Sequence, residues 1–420
     1  MTLRVIDPAM PAQGRPVWAK ARWIGLIELD EWTPAPDGDV QFAARHSDGY
    51  RTARVLVRSG LRPIAFVEGP IVDGVARIAV PTAVPAPEPE PADLPPVSVV
   101  VCTRERPDQL ADALQSLLAL NYPQFEVVVV DNAPRTDATA RVIEQAADDR
   151  VRRVEEPVPG LSTARNTGLR AARHDLVAYT DDDVYVDRHW LRALARGFAR
   201  SPRVSCVSGL VPSGELRTAA QGYFDQRVSW SGPLQPQLFT LDDPPAEEPL
   251  FPFRVGRFGT GANFAVRRDR VLELGGFDEA LGAGTAAQGG EDLDLFFRVL
   301  TGGDALATEP AAIVWHRHRS DNDALLAQAR GYGLGLGAWL TKVGLDRSHR
   351  RLLATVIRRQ FRSSVRAGAD YGAIITPPLD FRADVPSSVG RIEVLAVFGG
   401  PRALWQGRRR NRDTSTLARS

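Results

Sequence analysis

The chain has 420 residues, 52 Lys/Arg against 51 Asp/Glu, and only two cysteines. That length suits one large domain with smaller additions, and the near-zero charge supplies no global field for nucleic acid. Cys102 and Cys206 are too few for a disulfide framework or a thiolate zinc site.

No window reaches the ~18–20 apolar residues of a membrane span. The start "MTLRVIDPAMPAQGR" lacks the basic stretch and apolar core of a secretory signal, so a cytoplasmic protein is expected. The balanced total hides an asymmetry. From His316 onward there are 19 Lys/Arg against 8 Asp/Glu, so the last part is basic and the remainder acidic.

In chain order, runs such as "RTARVLVRSG" and "RPIAFVEGPIV" put β-branched residues between Gly and Pro breaks and predict a small β-rich domain over 1–80. The segment "PTAVPAPEPEPADLPP" (81–96) predicts an extended linker, because proline at that density fixes φ and removes donors. "VSVVVCT" (97–103) then reads as a buried strand. Pro107 opens a helix carrying Leu110, Leu114, Leu117 and Leu118 at helical spacing. "FEVVVVDN" (125–132) is a second strand, followed by a helix near 136–145, a short strand at 151–154, a helix over 162–172 and the strand "DLVAYT". Continuous apolar strands alternating with helices predict an α/β domain over 97–320, with a mostly parallel sheet flanked by helices.

In such sheets ligands collect beyond the carboxyl ends of the strands. The residues just past three strand ends are Thr103-Arg104-Glu105, Asp131-Asn132 and Asp181-Asp182-Asp183. Region 213–258 is Pro-rich and weakly patterned, the place for a variable binding loop. Beyond 321, "ALLAQARGYGLGLGAWLTKVGL" and "RRLLATVIRRQFRSSVR" predict helices. The second has a basic face suited to packing on the domain or to peripheral contact with an anionic membrane.

Four segments carry chemistry. An acidic triplet at a turn ordinarily stays solvated or caps a helix. Three adjacent carboxylates behind a buried strand, however, lose hydration and repel one another, and a divalent cation such as Mn²⁺ or Mg²⁺ offsets both costs. "GGEDLDLFFRV" sets Glu291 and Asp292 at a helix N-terminus, where the dipole alone favours a carboxylate but where a general base can also sit. "VWHRH" offers His316 and His318 on one side of a strand, as structural residues or as metal ligands. "PGLSTARNTGL" brings Ser162, Thr163 and Arg165 to a helix start, where a phosphate can bind; a solvated helix charge is the plainer reading of Arg165.

In this order "CTRER", "VVDN", "GLSTARNTGL", "YTDDDV", "GTGANFAVRR", "GGFDE", "GGEDLDLFFR" and "VWHRH" resemble the family 2 glycosyltransferases of GT-A fold, over residues 95–320. The resemblance implies an inverting, metal-dependent enzyme that moves a sugar, of hexose type, from a nucleoside diphosphate sugar, with a UDP-sugar expected. The acceptor is a hydroxyl on a glycan, a lipid-linked molecule or a small molecule. Carried onto this chain, Asp181, Asp182 and Asp183 form the DxD-type metal motif, completed by His316 or His318. Asp131 reads the base, with Thr103 and Glu105 in the same pocket; many relatives carry Asn where Glu105 stands. Arg165 lies near the diphosphate, Asp292 is the base, and Glu291 beside it helps to bind acceptor. A nucleotidyltransferase of similar fold is the competing enzyme class, but "CTRERPDQL" has no Gly-rich phosphate loop. A non-catalytic nucleotide- or glycan-binding relative is the other alternative.

Overall fold

The computed structural model describes residues 3–32, 38–81, 91, 93–228, 230–364, 381 and 383–417. The core of the expected linker, 82–90 and 92, lies outside the described residues, as do 365–380, within the predicted C-terminal region.

Residues before the Pro-rich segment form a six-stranded sheet from β1 (Val5–Ile6), β2 (Trp23–Glu28), β3 (Asp39–Ala44), β4 (Thr52–Ser59), β5 (Arg62–Val72) and β6 (Val75–Ala79). Their order is β1-β3-β6-β5-β4-β2, with β2 and β4 parallel. Alternating residues Val40, Phe42, Val55, Val57, Ala76 and Ile78 point into one small core. This sheet is fastened to the rest of the chain. Ile24 and Leu56 pack with Leu210, Ile313 and Trp315, and the buried Arg58 guanidinium meets Asp187 at 2.9 Å.

The larger sheet begins with the predicted sequence of elements: β7 (Val97–Thr103), α1 (Pro107–Leu118), β8 (Phe125–Asn132), α2 (Ala138–Ala146), β9 (Val151–Glu156), α3 (Leu161–Ala171) and β10 (Leu176–Thr180). It continues through β11 (Val184–Val186), α4 (Trp190–Ala199), β12 (Val204–Leu210), α5 (Ala219–Arg227), β13 (Gln237–Phe239), β14 (Asn263–Arg267), α6 (Arg268–Glu273), α7 (Glu291–Thr301) and β15 (Ala305–His316). The order across the sheet is β9-β8-β7-β10-β14-β12-β15-β11, with β13 beside β15.

Strands β7 to β10 are mutually parallel, while β14 runs antiparallel to both of its neighbours, so the sheet is mixed. Because β8 lies on one side of β7 and β10 on the other, the chain reverses direction across the sheet between β7 and β10, where a crevice opens at the strand ends. Thr103 and Asp181–Asp183 sit at that crevice. The valines of β7 and β8 are buried on both faces: one face packs on α1 and α4, the other on α3 and α7.

Past the sheet come α8 (Asn322–Leu345), α9 (Arg347–Ser364), α10 (Val389–Val397) and α11 (Gly400–Leu417). No described helix is long and apolar enough to cross a membrane.

Helix α8 carries glycine at 331, 333, 335 and 337, giving two i,i+4 pairs on different faces. A Cβ at Gly335 would stand 2.6 Å from the Gly289 backbone, and one at Gly290 2.6 Å from the Gly335 carbonyl oxygen. Gly290 also has φ +87°, so it needs glycine for conformation as well as for space. On the other face, Cβ atoms at Gly333 and Gly337 would lie 2.1 and 2.0 Å from the carbonyl oxygens of Glu393 and Val397. One helix therefore touches the N-terminus of α7 on one side and α10 on another, backbone against backbone.

Helix propensity favours alanine over glycine, so the sign of a Gly→Ala change in α8 reports this contact. Gly335→Ala is expected to destabilise the protein by about 1–3 kcal/mol through overpacking. Gly344→Ala, whose Cβ meets open space, should instead gain up to about 1 kcal/mol. Urea unfolding of both variants measures this; a gain at both positions would show that α8 does not bear on α7.

Candidate active site

Three strand ends and one helix start converge. Beyond β10 the triplet divides its work. Asp182 is buried and accepts the Thr103 hydroxyl at 2.7 Å and Arg106 Nη1 at 3.0 Å, so it ties β10 to the end of β7. Burial, and after it the neighbouring Asp183, pushes its carboxyl up. Asp181 and Asp183 flank it. One donor atom from each, together with one from His316, all lie within 4.8 Å of one another, the one such group of three among the described residues.

The chemistry of that donor set fits a hard or borderline divalent cation. His316 ends β15 and is paired across to Val184 of β11, which brings its Nε2 to 3.5 Å from Asp183 Oδ1. Burial holds this imidazole below its usual range, leaving it neutral with a lone pair to give. His316 Nδ1 faces His318 Nδ1 at 3.1 Å, so one ring donates to the other. His318 is enclosed by Phe224 and Trp230, and burial drives its imidazole well below the ordinary value. Of the two histidines, His316 joins the acidic group and His318 stands behind it, in the place of a group that fixes a ligand's tautomer.

The solvated-charge reading of Arg165 does not hold. Its side chain is 3% exposed, and its guanidinium reaches Glu291 Oε1 at 2.9 Å, the Gly261 carbonyl at 2.8 Å and Asp181 Oδ1 at 3.5 Å. A Cβ at Gly261 would stand 2.9 Å from the same guanidinium, so this strand approach admits glycine. The Gly261 N–H donates to Asp292 Oδ2 at 2.8 Å, and the Leu293 N–H donates to Asp292 Oδ1.

Two carboxylate groups thus face one another across one cation. Asp181 keeps 32% of its side-chain surface but is ringed by protein; desolvation pushes its carboxyl up to about 7 against the pull of Arg165. Desolvation, and then Asp292, pushes Glu291 up to about 7 as well. Glu291 Oε2 is buried with no hydrogen-bond partner among the described residues.

The phosphate site expected at the start of α3 is covered. The Ser162 hydroxyl donates to the Leu281 carbonyl, and the Leu161 N–H to that of Ala283, so this turn is spent on holding the 281–285 loop. Asp131 is fully buried, with Oδ1 accepting the Thr139 hydroxyl at 3.1 Å and Oδ2 paired to Arg153 at 2.7 Å. Glu105, at φ +54°, accepts the Arg135 and Thr136 N–H groups and the Thr136 hydroxyl; those bonds hold its carboxyl below the usual range. It braces the turn after β8.

Four residues escaped the sequence reading. Arg106 Nη1 reaches both Asp182 and Asp183, and Arg319 Nη2 lies 3.7 Å from Asp183; both are about 40% exposed at the rim. Arg106 lies one residue beyond the strand-end triplet, where its place before Pro107 was the available signal. Trp230 stands beside both histidines, Tyr332 packs on Trp230 with ring centroids 6.5 Å apart, and both come from segments with no motif. Trp230 also borders a small recess that reaches Thr260 and continues, through Gly232, Pro233, Arg257 and Phe258, into a cleft of about 420 Å³ lined by Gln237, Glu247 and Glu248. This cleft lies within the weakly patterned 213–258 region, and neither it nor the recess is lined by Asp181–Asp183, Glu291 or Asp292.

Comparison with known proteins agrees with this architecture. Residues 98–273 match the family model described as glycosyl transferase family 2. A pre-mycofactocin glycosyltransferase of Mycobacterium tuberculosis is 32% identical over 177 residues, 41% of this chain; the match spans only 33% of that relative's length. The mannosyltransferase PcManGT from Pyrobaculum calidifontis, solved with GDP-Man and Mn²⁺, matches in fold with a TM-score of 0.50 and 21% identity, over 74% of this chain and 89% of that one. Succinoglycan biosynthesis protein ExoM of Rhizobium meliloti is 31% identical over 290 residues, 67% of this chain and 83% of that protein. With a GT-A-type mixed sheet, a matching family model and a relative of that identity and coverage, the chain belongs to glycosyl transferase family 2.

Proposed function

We propose that the chain is an inverting, metal-dependent enzyme that transfers a hexose-type sugar from a nucleoside diphosphate donor to an acceptor hydroxyl by a single in-line displacement. The observation that carries this reading is the pair of carboxylate groups on opposite sides of the buried Arg165 guanidinium. A one-step displacement needs charge stabilisation at the leaving group and a base at the attacking group, at two separate places.

On the leaving-group side, Asp181, Asp183 and His316 hold Mn²⁺ or Mg²⁺, which when bound supplies a Lewis acid for the charge that develops on the departing diphosphate. Arg106 and Arg319, at the rim of the same group, pair with diphosphate oxygens. Thr103 and Asp131, at the ends of β7 and β8, mark the end that receives the base.

On the attacking side, Asp292 removes the proton of the acceptor hydroxyl. The Gly261 N–H fixes its Oδ2 at the N-terminus of α7. Glu291 is held beside it by Arg165 and orients the acceptor. Arg165 is a positioning residue in this scheme, since its donors are already committed to the protein. The mannosyltransferase with the same fold was solved with GDP-Man and Mn²⁺, which accords with the donor chemistry proposed for this chain.

Asp292→Asn is expected to lower transfer by about 10²–10⁴-fold while leaving Mn²⁺-dependent stabilisation by UDP or GDP intact. Product formation from a panel of nucleotide sugars, run beside a thermal-shift assay, measures both. Near-wild-type turnover in this variant would remove Asp292 as the base.

A second expectation concerns pH. Folded Asp181 keeps its proton up to about 7 rather than its ordinary 3.8, so the unliganded fold loses stability as pH rises between those values. A cation takes the place of that proton. Apparent Mn²⁺ affinity measured by calorimetry from about pH 5.5 to 8.5 should therefore rise with pH, release protons at the acid end, and level off above about 7. An affinity that ignores pH across this window would exclude Asp181 as a ligand.

A further inference from the structure

Large exposed apolar side chains gather on the last two described helices. Leu395 and Phe398 are 67% and 79% exposed, Trp405 is 57% exposed, and Val394 adjoins them at 37%. Arg391, Leu395 and Phe398 on α10 and its C-cap, and Arg402, Trp405 and Arg409 on α11, each advance by three or four residues and are all exposed, the spacing of an outward face on each helix. The opposite side of α10 is closed against Gly333 and Gly337 of α8.

The charge on these helices has one sign. From Val389 to Arg412 there are six arginines and one acid, Glu393, which is turned aside to Arg227 at 2.5 Å. Arg409 lies over the Trp405 ring at 5.6 Å, a pairing that keeps an amphipathic ring and a cation together at the surface. Soluble monomers rarely leave such a contiguous patch to water. Exposed Leu, Phe and Trp flanked by arginine is the composition of a helix that lies in the headgroup region of an anionic bilayer, with no need to span it.

The placement gives this face a purpose. Helix α8 separates α10 from the Gly289–Gly290 turn that launches Glu291 and Asp292, and a helix is about 10 Å across. We propose that the α10–α11 face docks on an anionic lipid surface and so holds the carboxylate site two helix diameters, roughly 20 Å, from groups carried in that surface. The docking stands apart from the transfer reading; only the identification of such a group as the acceptor rests on it.

Flotation of the full chain with vesicles tests the docking without any turnover. The wild type should float with phosphatidylcholine vesicles that contain phosphatidylglycerol, stay behind with phosphatidylcholine alone, and be released by salt. The double variant Leu395→Ser/Phe398→Ser should lose about tenfold or more in vesicle affinity. Arg402→Glu/Arg409→Glu should lose the preference for the anionic lipid. Unchanged circular dichroism and thermal unfolding would show that both variants fold. A wild type that never floats, or variants that float as it does, would overturn the proposal. So would light scattering that finds a wild-type dimer converted to monomer by Leu395→Ser/Phe398→Ser, since the face would then bind a second copy.

Discussion

The arrangement of the site depends on one buried cation. Arg165 springs from α3 and binds a carboxylate of α7, a backbone carbonyl just before β14 and an aspartate just past β10. Its guanidinium lies 5.6 Å from the ring of Phe264 and 5.7 Å from that of Phe277, so little water competes for it. Burying a guanidinium costs several kcal/mol, offset here by the fit of its planar donors to their partners. Removal of such a partner strands the others. Four chain segments, far apart in sequence, take their places from this one side chain.

Glycine supplies the complementary constraint. Gly261 lets Arg165 cross a strand approach, and Gly290 lets α7 begin against α8. Four glycines in the middle of a helix cost stability by propensity alone, roughly 1 kcal/mol each. Backbone-to-backbone contact on two faces is the structural return. It fixes the start of α7, and with it the direction of Glu291 and Asp292.

The sequence reading was reliable where residues near in sequence determine the outcome. Pro107, the leucines of α1 and the valine runs of β7 and β8 fall where their spacing puts them. The strand-end residues were legible for the same reason, because the carboxyl end of a parallel strand is a local fact. What was not legible is which partner each side chain meets. Nothing local says that Glu105 turns back to Arg135 and Thr136, or that the start of α3 is covered by the 281–285 loop. Nor does anything local in "GYGLGLGAWL" say that its glycines answer to Gly289–Gly290 and to α10. Trp230 and Tyr332 carry no motif at all.

The charge arithmetic explains why these pieces belong together. Around Arg165 stand Asp181, Glu291 and Asp292, and beyond Asp181 lie Asp182 and Asp183 with Arg106 and Arg319 at the rim. Five carboxyl groups face three guanidinium groups, two of which are half in solvent. Desolvation first, and neighbouring negative charge after it, holds the protons of the two carboxyls against Arg165 up to about 7. A divalent cation held by Asp181 and Asp183, as proposed, would restore the balance on one side only. Arg165 pulls both carboxyls down against the burial that raises them, and without it the repulsion that Asp181 already feels from Glu291 would be unscreened. The single guanidinium therefore parts one cluster of like charges into an Asp181 side and a Glu291 side.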